Sequence, residues 1–287
     1  ELFQEFQPQA VFHLAAQALV RPSYLKPLDT YAVNVLGTAR ILEACRNTPS
    51  VRAIVAVSSD KCYENREVLQ PYCEGDPMGG YDPYSASKGC MELLLNSYRR
   101  CFFTPDQHAL LASARAGNVI GGGDWAEDRL VPDLMQAAAR GQTAVLRNPD
   151  AVRPWQHVLE PLSGYLLLGQ CLLQNRPEAA QAWNFGPALQ DNISVADLAA
   201  RLAAAWPGLT YRSEPNPGAP HEASLLRLDC RKAAAQLQWQ SVWTAAQAIR
   251  KTAEWYRDFF SHRQINSLSD LHEYCDDAAR RNLPWAK

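Results

Sequence analysis

Between residues 57 and 88 the sequence sets five reactive side chains in two short groups, Ser58-Ser59-Asp60-Lys61 and Tyr84-Ser85-Ala86-Ser87-Lys88. The hydroxyl of Ser59, the carboxylate of Asp60, the phenol of Tyr84 and the amines of Lys61 and Lys88 can together move protons to and from an alcohol. Residues four apart on a helix share a face, so Tyr84 and Lys88 point the same way. A cation close to a phenol favours the phenolate, so Lys88 is expected to make Tyr84 more acidic and turn it into a usable general base. Ser59 stands 25 residues earlier, at the carboxyl end of an expected parallel strand, where ligands of open α/β sheets bind. A Tyr-x-x-x-Lys pair alone is a common surface pattern, and the company of Ser59 is what makes it a candidate site.

Those groups need a scaffold, and the pattern around them supplies one. Residues 8–16 form an apolar run closed by small residues and read as a buried parallel strand. Residues 29–46 carry Val33, Leu36, Ile41, Leu42 and Cys45 at helical spacing, and 52–57 is a second apolar strand. Residues 84–103 are again helical, with Met91, Leu94, Leu95 and Tyr98 on one side, and 109–116 is strand-like. Strands alternating with long helices imply a parallel sheet covered on both faces, and right-handed crossovers make it doubly wound. Beyond Asn118 come Gly121-Gly122-Gly123-Asp124, a helix over 130–140 and a short strand over 144–146. Ser194-x-x-Asp197 opens another helix as a capping box, and Asp229 is expected to cap one more.

The expected architecture is therefore α/β, a Rossmann-like doubly wound sheet with a smaller interleaved α/β lobe. The sheet lobe takes residues 1–120 and 152–185, the smaller lobe 121–151 and 186–245, and C-terminal helices 246–287. The chain opens at Glu1 inside what reads as a helix tail (Leu2, Phe3, Phe6), so it is expected to begin in mid-domain.

Bulk composition narrows the function classes. The 28 basic and 30 acidic residues are interspersed, for a net charge of -2, so neither nucleic acid nor an anionic membrane surface is the expected partner. A small anionic ligand remains compatible. The eight cysteines never form a C-x-x-C pair, and the six histidines show no ligand spacing, so free thiols and no metal site are expected. No apolar run reaches the roughly 20 residues a membrane helix needs, and a cytoplasmic protein is expected.

Ser59 with Tyr84-x-x-x-Lys88, together with His13-Leu14-Ala15-Ala16-Gln17, Asn34-x-x-Gly37-Thr38 and Arg153-Pro154-Trp155-Gln156-His157-Val158, resembles the extended short-chain dehydrogenase/reductase family of NAD-dependent epimerases and dehydratases. The resemblance covers most of the chain. It implies NAD in the Rossmann lobe and a nucleotide sugar in the smaller one. The family's Gly-rich fingerprint precedes the first strand read here, so the phosphate-binding glycines and the ribose-binding acid are expected to lie outside these 287 residues, in two βαβ units of about 30 residues each.

Within the family, residues 59–65 and 79–84 resemble the 4,6-dehydratase branch that takes CDP-glucose, and residues 115–125 and Pro220-His221-Glu222-Ala223 are similar to the same branch. Relatives that act on dTDP-glucose have Glu where Lys61 stands. The resemblance gives Ser59, Tyr84 and Lys88 to hydride transfer at sugar C4, Asp60 to protonation of the leaving 6-hydroxyl, and Lys61 to removal of the C5 proton. It implies cofactor contacts from Leu14, Ala15, Ala16, Asn34, Ser58, Tyr84, Lys88 and Ala116. It implies substrate contacts from Gln17, Ser23, Asn118, Arg129, Arg147, Arg153, Asn184 and His221. Family habit adds a homodimer or dimer of dimers through helices 30–46 and 84–103, and a place in deoxysugar and O-antigen synthesis.

Each residue also has a plainer reading. Asp60 can cap a turn, Lys61 can face solvent, and Arg129, Arg147 and Arg153 can pair with carboxylates. Trp155 and Trp183 suit a core, and Asn118 and Asn184 suit turns. An acid for dehydration needs burial to raise its pKa, and Lys61 next door opposes that shift. Lys61 as a base needs a depressed pKa. A nucleotide-sugar 4-epimerase, which needs no such acid, and a non-catalytic binding protein stay open as alternatives.

Overall fold

The computed structural model describes residues 1–214 and 223–286, so His221 and its neighbours Pro220 and Glu222 lie outside the described residues. In chain order the first elements are α1 (Leu2–Phe6), β1 (Ala10–His13), α2 (Val20–Leu25), α3 (Pro27–Tyr31) and α4 (Gly37–Arg46). β2 (Ala53–Val57), α5 (Pro83–Cys101), β3 (Leu110–Ala116) and β4 (Val119–Ile120) follow. Then come α6 (Leu130–Ala139), β5 (Thr143–Leu146), β6 (Val152–Arg153), β7 (Gln156–His157) and α7 (Leu159–Leu173). The last elements are β8 (Ala182–Phe185), β9 (Ile193–Ser194), α8 (Val195–Ala205), β10 (Thr210–Ser213), α9 (Ala245–His262) and α10 (Ser267–Arg280).

The main sheet is parallel with strand order β1-β2-β3-β8. Period-two alternation divides β2 between two cores. Ala53 and Val55 join Leu110, Ala112, Leu168, Leu172, Trp183 and Trp239 on one face. Ile54 and Ala56 join Leu42, Met91, Leu95 and Leu111 on the other, under α4 and α5. Each fully buried aliphatic side chain contributes on the order of 2 kcal/mol, so the carboxyl ends of β2 and β3 are held from both sides.

β1 departs from the expected buried strand. It pairs in parallel with β2 over 10–13, but Phe12 is 38% exposed, because β1 is an edge strand among the described residues. The expected helix over 29–46 is broken into α3, a π-helical turn over Ala32–Leu36, and α4. Asn34 sits buried at the centre of that turn, whose wider winding lets its side chain reach inward.

The smaller lobe packs α6, β5, α8 and β10 around Val131, Leu134, Leu146, Leu198 and Leu202. Helix α9 belongs to this core through Ala248, Ile249, Ala253, Trp255 and Tyr256, whereas the sequence pattern sets it apart with the C-terminal helices. Conversely, the π-helical turn Ala233–Leu237 and Trp239, expected in the smaller lobe, pack on the main sheet. The apolar faces of these segments are plain in sequence, but their partners are set by tertiary docking. Ser194 caps α8 as expected, its Oγ accepting from the Asp197 amide at 3.0 Å, and Asp229 accepts from the Arg231 amide at 2.9 Å. All eight cysteines are free. Among the described residues no helix is long and apolar enough to cross a membrane.

Candidate active site

β2 delivers Ser58 and Ser59 to the sheet's carboxyl edge, where a 3₁₀ turn over Asp60–Cys62 begins. Ser59 caps that turn: its Oγ accepts from the Lys61 amide at 3.2 Å and donates to Asp60 Oδ1 at 3.0 Å. Asp60 is buried, and its Oδ2 has no hydrogen-bond partner among the described residues. Burial pushes the Asp60 carboxyl up against the opposing pull of Lys61, Ser59 and Arg153, the balance that an acid in this position requires. Gly117 lets the chain after β3 approach this group, since a Cβ there would fall 2.4 Å from Pro154 Cγ and 3.1 Å from Asp60 Oδ2.

Helix α5 begins where it must to present Tyr84. Asp82 accepts from the Ser85 amide at 2.9 Å, and Pro83 occupies the first turn, where its missing N–H costs nothing. The Tyr84 amide donates to Ser23 Oγ at 3.1 Å, and Ser23 in turn donates to the Val20 carbonyl at 2.6 Å. Lys88, one turn on, is buried, with its Nζ donating to the Val57 carbonyl at 3.3 Å.

The electrostatics differ from the expectation that Lys88 acidifies Tyr84. Burial pushes the Tyr84 phenol up to about 12, and the main opposing influence is a hydrogen bond with Ser59 rather than the Lys88 charge. Burial also pushes the Lys88 amine down to about 8, with Glu92 opposing. Both groups have lost water, and Lys88 is directed to the Val57 carbonyl, so desolvation is the largest influence on each.

These residues open onto a cleft of about 470 Å³ between the strand ends and the smaller lobe. Leu14, Ala16, Ser58 and Ala116 lie along its sheet side, with Lys61 half-buried beside them. Ala15 is exposed. Asn118 lines the cleft with its Oδ1 buried and unpartnered among the described residues.

Three arginines reach the opposite wall, two of them already paired with carboxylates as their plainer reading has it. Arg129 meets Asp124 at 2.9 Å, and Arg147 meets Asp128 at 2.8 Å and Asp133 at 3.6 Å. Arg153 donates to the Val152 and Ala223 carbonyls, and its charge also pulls on Asp60.

Four residues expected to touch ligands are committed to the fold instead. Asn34 accepts from the Gln17 amide at 2.8 Å and donates to the Gln17 carbonyl and to Ser87 Oγ, both at 2.9 Å. The Gln17 side chain donates to Thr30 Oγ1 at 2.9 Å and to the Leu19 carbonyl at 3.0 Å. These bonds clamp the loop after β1 onto α5. Ser23, as above, orients the Tyr84 backbone. Asn184 is fully buried, accepting from Tyr63 at 2.7 Å and donating to the Tyr72 and Asp229 carbonyls. Trp155 and Trp183 are core, as their plainer reading has it.

Sequence reasoning missed Arg21, whose guanidinium reaches Asp128 at 3.3 Å from across the cleft. It also missed the clamp on the loop carrying Asp124: a Cβ at Gly122 would fall 2.0 Å from the Trp255 ring, and Tyr256 donates to the Asp124 carbonyl at 2.5 Å. No local pattern marks either one. The arrangement as a whole is a base candidate and an acid candidate sharing one hydroxyl, Ser59, at the mouth of a parallel sheet.

Known proteins resemble this chain in sequence and in fold. The sequence model of the GDP-mannose 4,6-dehydratase family matches residues 1–252. A CDP-glucose 4,6-dehydratase of Salmonella typhimurium is 46% identical over 282 residues, covering 96% of this chain and 79% of that protein. A UDP-glucose 4-epimerase of Mycolicibacterium smegmatis is 28% identical over 258 residues, covering 90% of this chain and 79% of the relative. Among solved structures, a UDP-glucose 4-epimerase of Thermotoga maritima superposes with TM-score 0.76 at 22% identity, over 91% of this chain and 81% of its own. A dTDP-glucose 4,6-dehydratase of Streptomyces venezuelae gives TM-score 0.75 at 22% identity, over 90% and 76%. With a shared fold, a family match across residues 1–252 and a dehydratase 46% identical over nearly the whole of this chain, the protein belongs to the GDP-mannose 4,6-dehydratase family of extended short-chain dehydrogenases/reductases.

Proposed function

We propose that the protein is an NAD-dependent lyase that converts CDP-glucose to CDP-4-dehydro-6-deoxyglucose and water. The observation that carries this reading is Asp60, a buried carboxyl pushed towards its protonated form and hydrogen-bonded to the same Ser59 that meets Tyr84. A 4-epimerase has no use for an acid there. The 46% identity to a protein named for this activity supports the choice of CDP-glucose.

NAD fits the residues present. Ala16, Ala116 and Gly117 leave the strand ends low enough for a flat ring to approach, and Tyr84 and Lys88 stand beside them on the cleft wall. These residues, with Leu14 and Ser58, would hold its nicotinamide end. The chemistry it supplies when bound is reversible hydride transfer, from sugar C4 and back to C6.

The chain's own groups then move protons. Tyr84, as phenolate, takes the proton of the 4-hydroxyl and becomes the neutral phenol, with Ser59 holding the same oxygen. Lys88 lowers the cost of forming that phenolate before the transfer and would hydrogen-bond the nicotinamide ribose. The 4-ketone acidifies C5–H, and Lys61 takes that proton. Asp60 protonates the departing 6-hydroxyl, which as hydroxide is a poor leaving group. Arg129 and Arg147 offer cations to the diphosphate, exchanging their carboxylate partners for it.

Exposed apolar residues within 30–46 and on α5, Leu36 at 55% and Leu93 at 61% among them, support a homodimer through helices 30–46 and 84–103. A 4-keto-6-deoxy sugar nucleotide is a precursor of deoxysugars, which supports a cytoplasmic role in O-antigen synthesis. Incubating the native protein with NAD and CDP-glucose should generate the absorbance of a 4-keto sugar in base. Product from UDP-glucose or dTDP-glucose but not CDP-glucose overturns the base assignment, and epimer without 4-keto product overturns the dehydratase reading.

A further inference from the structure

Lys88 lies in a dry part of the site. Its Nζ meets the Val57 carbonyl at 3.3 Å and the Met91 sulfur at 3.9 Å, neither of which carries a charge. One turn further along the same face of α5 stands Glu92, also buried. Its Oε1 accepts from Arg115 Nε at 2.9 Å, and its Oε2 accepts from Arg115 Nη2 at 2.8 Å and Ser113 Oγ at 2.9 Å. Arg115 is anchored in turn, donating from Nη1 to Tyr63 Oη at 2.8 Å and to the Glu74 carbonyl at 3.1 Å.

Resting on the reading of Tyr84 and Lys88 above, we propose that Glu92 is a positioning residue for the reaction, a fixed buried carboxylate that supplies the counter-charge keeping Lys88 an ammonium ion. A bidentate guanidinium and a hydroxyl hold Glu92 ionised: burial pushes its carboxyl up, but Arg115 and Ser113 prevail and keep it below the usual range. Arg115 lies on β3, whereas Glu92 shares its helix face with Lys88.

The other ionisable groups around Lys88 do not substitute for it. Cys62, on the turn after β2, is kept a neutral thiol by burial. His13, at the end of β1, is pushed down by burial and by Lys88 itself, and stays neutral. Burial favours the neutral phenol of Tyr84 and the protonated form of Asp60. Burial alone drives the Lys88 amine down, and Glu92 opposes that drive. In a low-dielectric site one uncompensated charge matters far more than the same spacing does on a helix surface.

A purely structural role, fastening β3 to α5, leaves Lys88 indifferent to the Glu92 charge. The two roles separate in the titration of Lys88 itself, followed by NMR of the cofactor-free protein with isotope-labelled lysine side chains and assigned with Lys88→Arg. With six lysines in the sequence, the spectrum is sparse. Native Lys88 should titrate near about 8, and in Glu92→Gln the midpoint should fall by about one pH unit or more. The alkaline limb of kcat should move the same way, with an about tenfold loss above the native midpoint for each pH unit by which the midpoint falls, and Glu92→Asp should restore both. Because Glu92→Gln strands the Arg115 charge, Glu92→Gln/Arg115→Gln is measured beside it, and the Lys88 midpoint should fall there too. An unmoved Lys88 midpoint in the folded variants overturns the proposal. The titration needs no turnover, so a native protein inactive on nucleotide sugars would refute the functional reading while leaving this one decided.

Discussion

Tyr84→Phe is expected to lower kcat on CDP-glucose by about 10²–10⁴-fold, the usual worth of a positioned general base, with little change in KM or melting temperature. The ring is buried and its packing survives the substitution. The Ser23 bond that sets the start of α5 is to the Tyr84 backbone and survives as well. What is lost is the proton acceptor for the 4-hydroxyl. Steady-state kinetics beside a thermal melt check this, and a stable variant with native kcat would remove Tyr84 from the mechanism.

Asp60→Asn should separate the two halves of the reaction. The amide oxygen can still accept from Ser59, as Oδ1 does at 3.0 Å, so the turn and the Tyr84 environment are kept. The amide N–H is far too weak an acid to protonate the leaving hydroxyl, so elimination should slow by about 10²–10⁴-fold while C4 oxidation continues. In a single-turnover experiment the reduced-nicotinamide absorbance should then accumulate instead of decaying. The pH dependence carries the same signature. A carboxyl whose pKa is raised by burial is a competent acid below that value, so native turnover falls as pH rises through it. The Asn variant should lack that limb. Normal turnover in Asp60→Asn would sink the acid role.

Much of this site is legible in the sequence because its parts are local. The apolar run ending at Val57 predicts a strand end, the spacing of Tyr84 and Lys88 predicts a shared helix face, and both are as expected. The direction in which the Asp60 pKa moves is also legible, since an acid flanked by a cation must be buried to hold its proton. That of Tyr84 is not, because spacing reports proximity along the helix and says nothing of lost water. Glu92 is within reach of the same spacing rule that pairs Tyr84 with Lys88, four residues further on one face, but its partner Arg115 lies on another strand.

The family motifs mark positions more than contacts. Asn34, Gln17 and Asn184 resemble ligand-binding residues, yet their amides are matched donor for acceptor inside the fold. Likewise the arginines at 129 and 147 are visible as cations, whereas their pairing with Asp124 and Asp128, and the facing Arg21, are not. Such pairings depend on how the smaller lobe closes over the sheet. The assignment of α9 to that lobe and of residues 233–239 to the sheet escapes the sequence for the same reason, since amphipathicity shows that a face is buried and not against what.

The most direct test of internal hydride transfer uses CDP-glucose carrying deuterium at C4, turned over by the native protein with NAD in ordinary water. The expected product is the 4-keto-6-deoxy sugar nucleotide with deuterium at C6, because the hydride removed from C4 returns within the same site. Deuterium recovered at C4 of an epimer, or product with no label at C6, would contradict it.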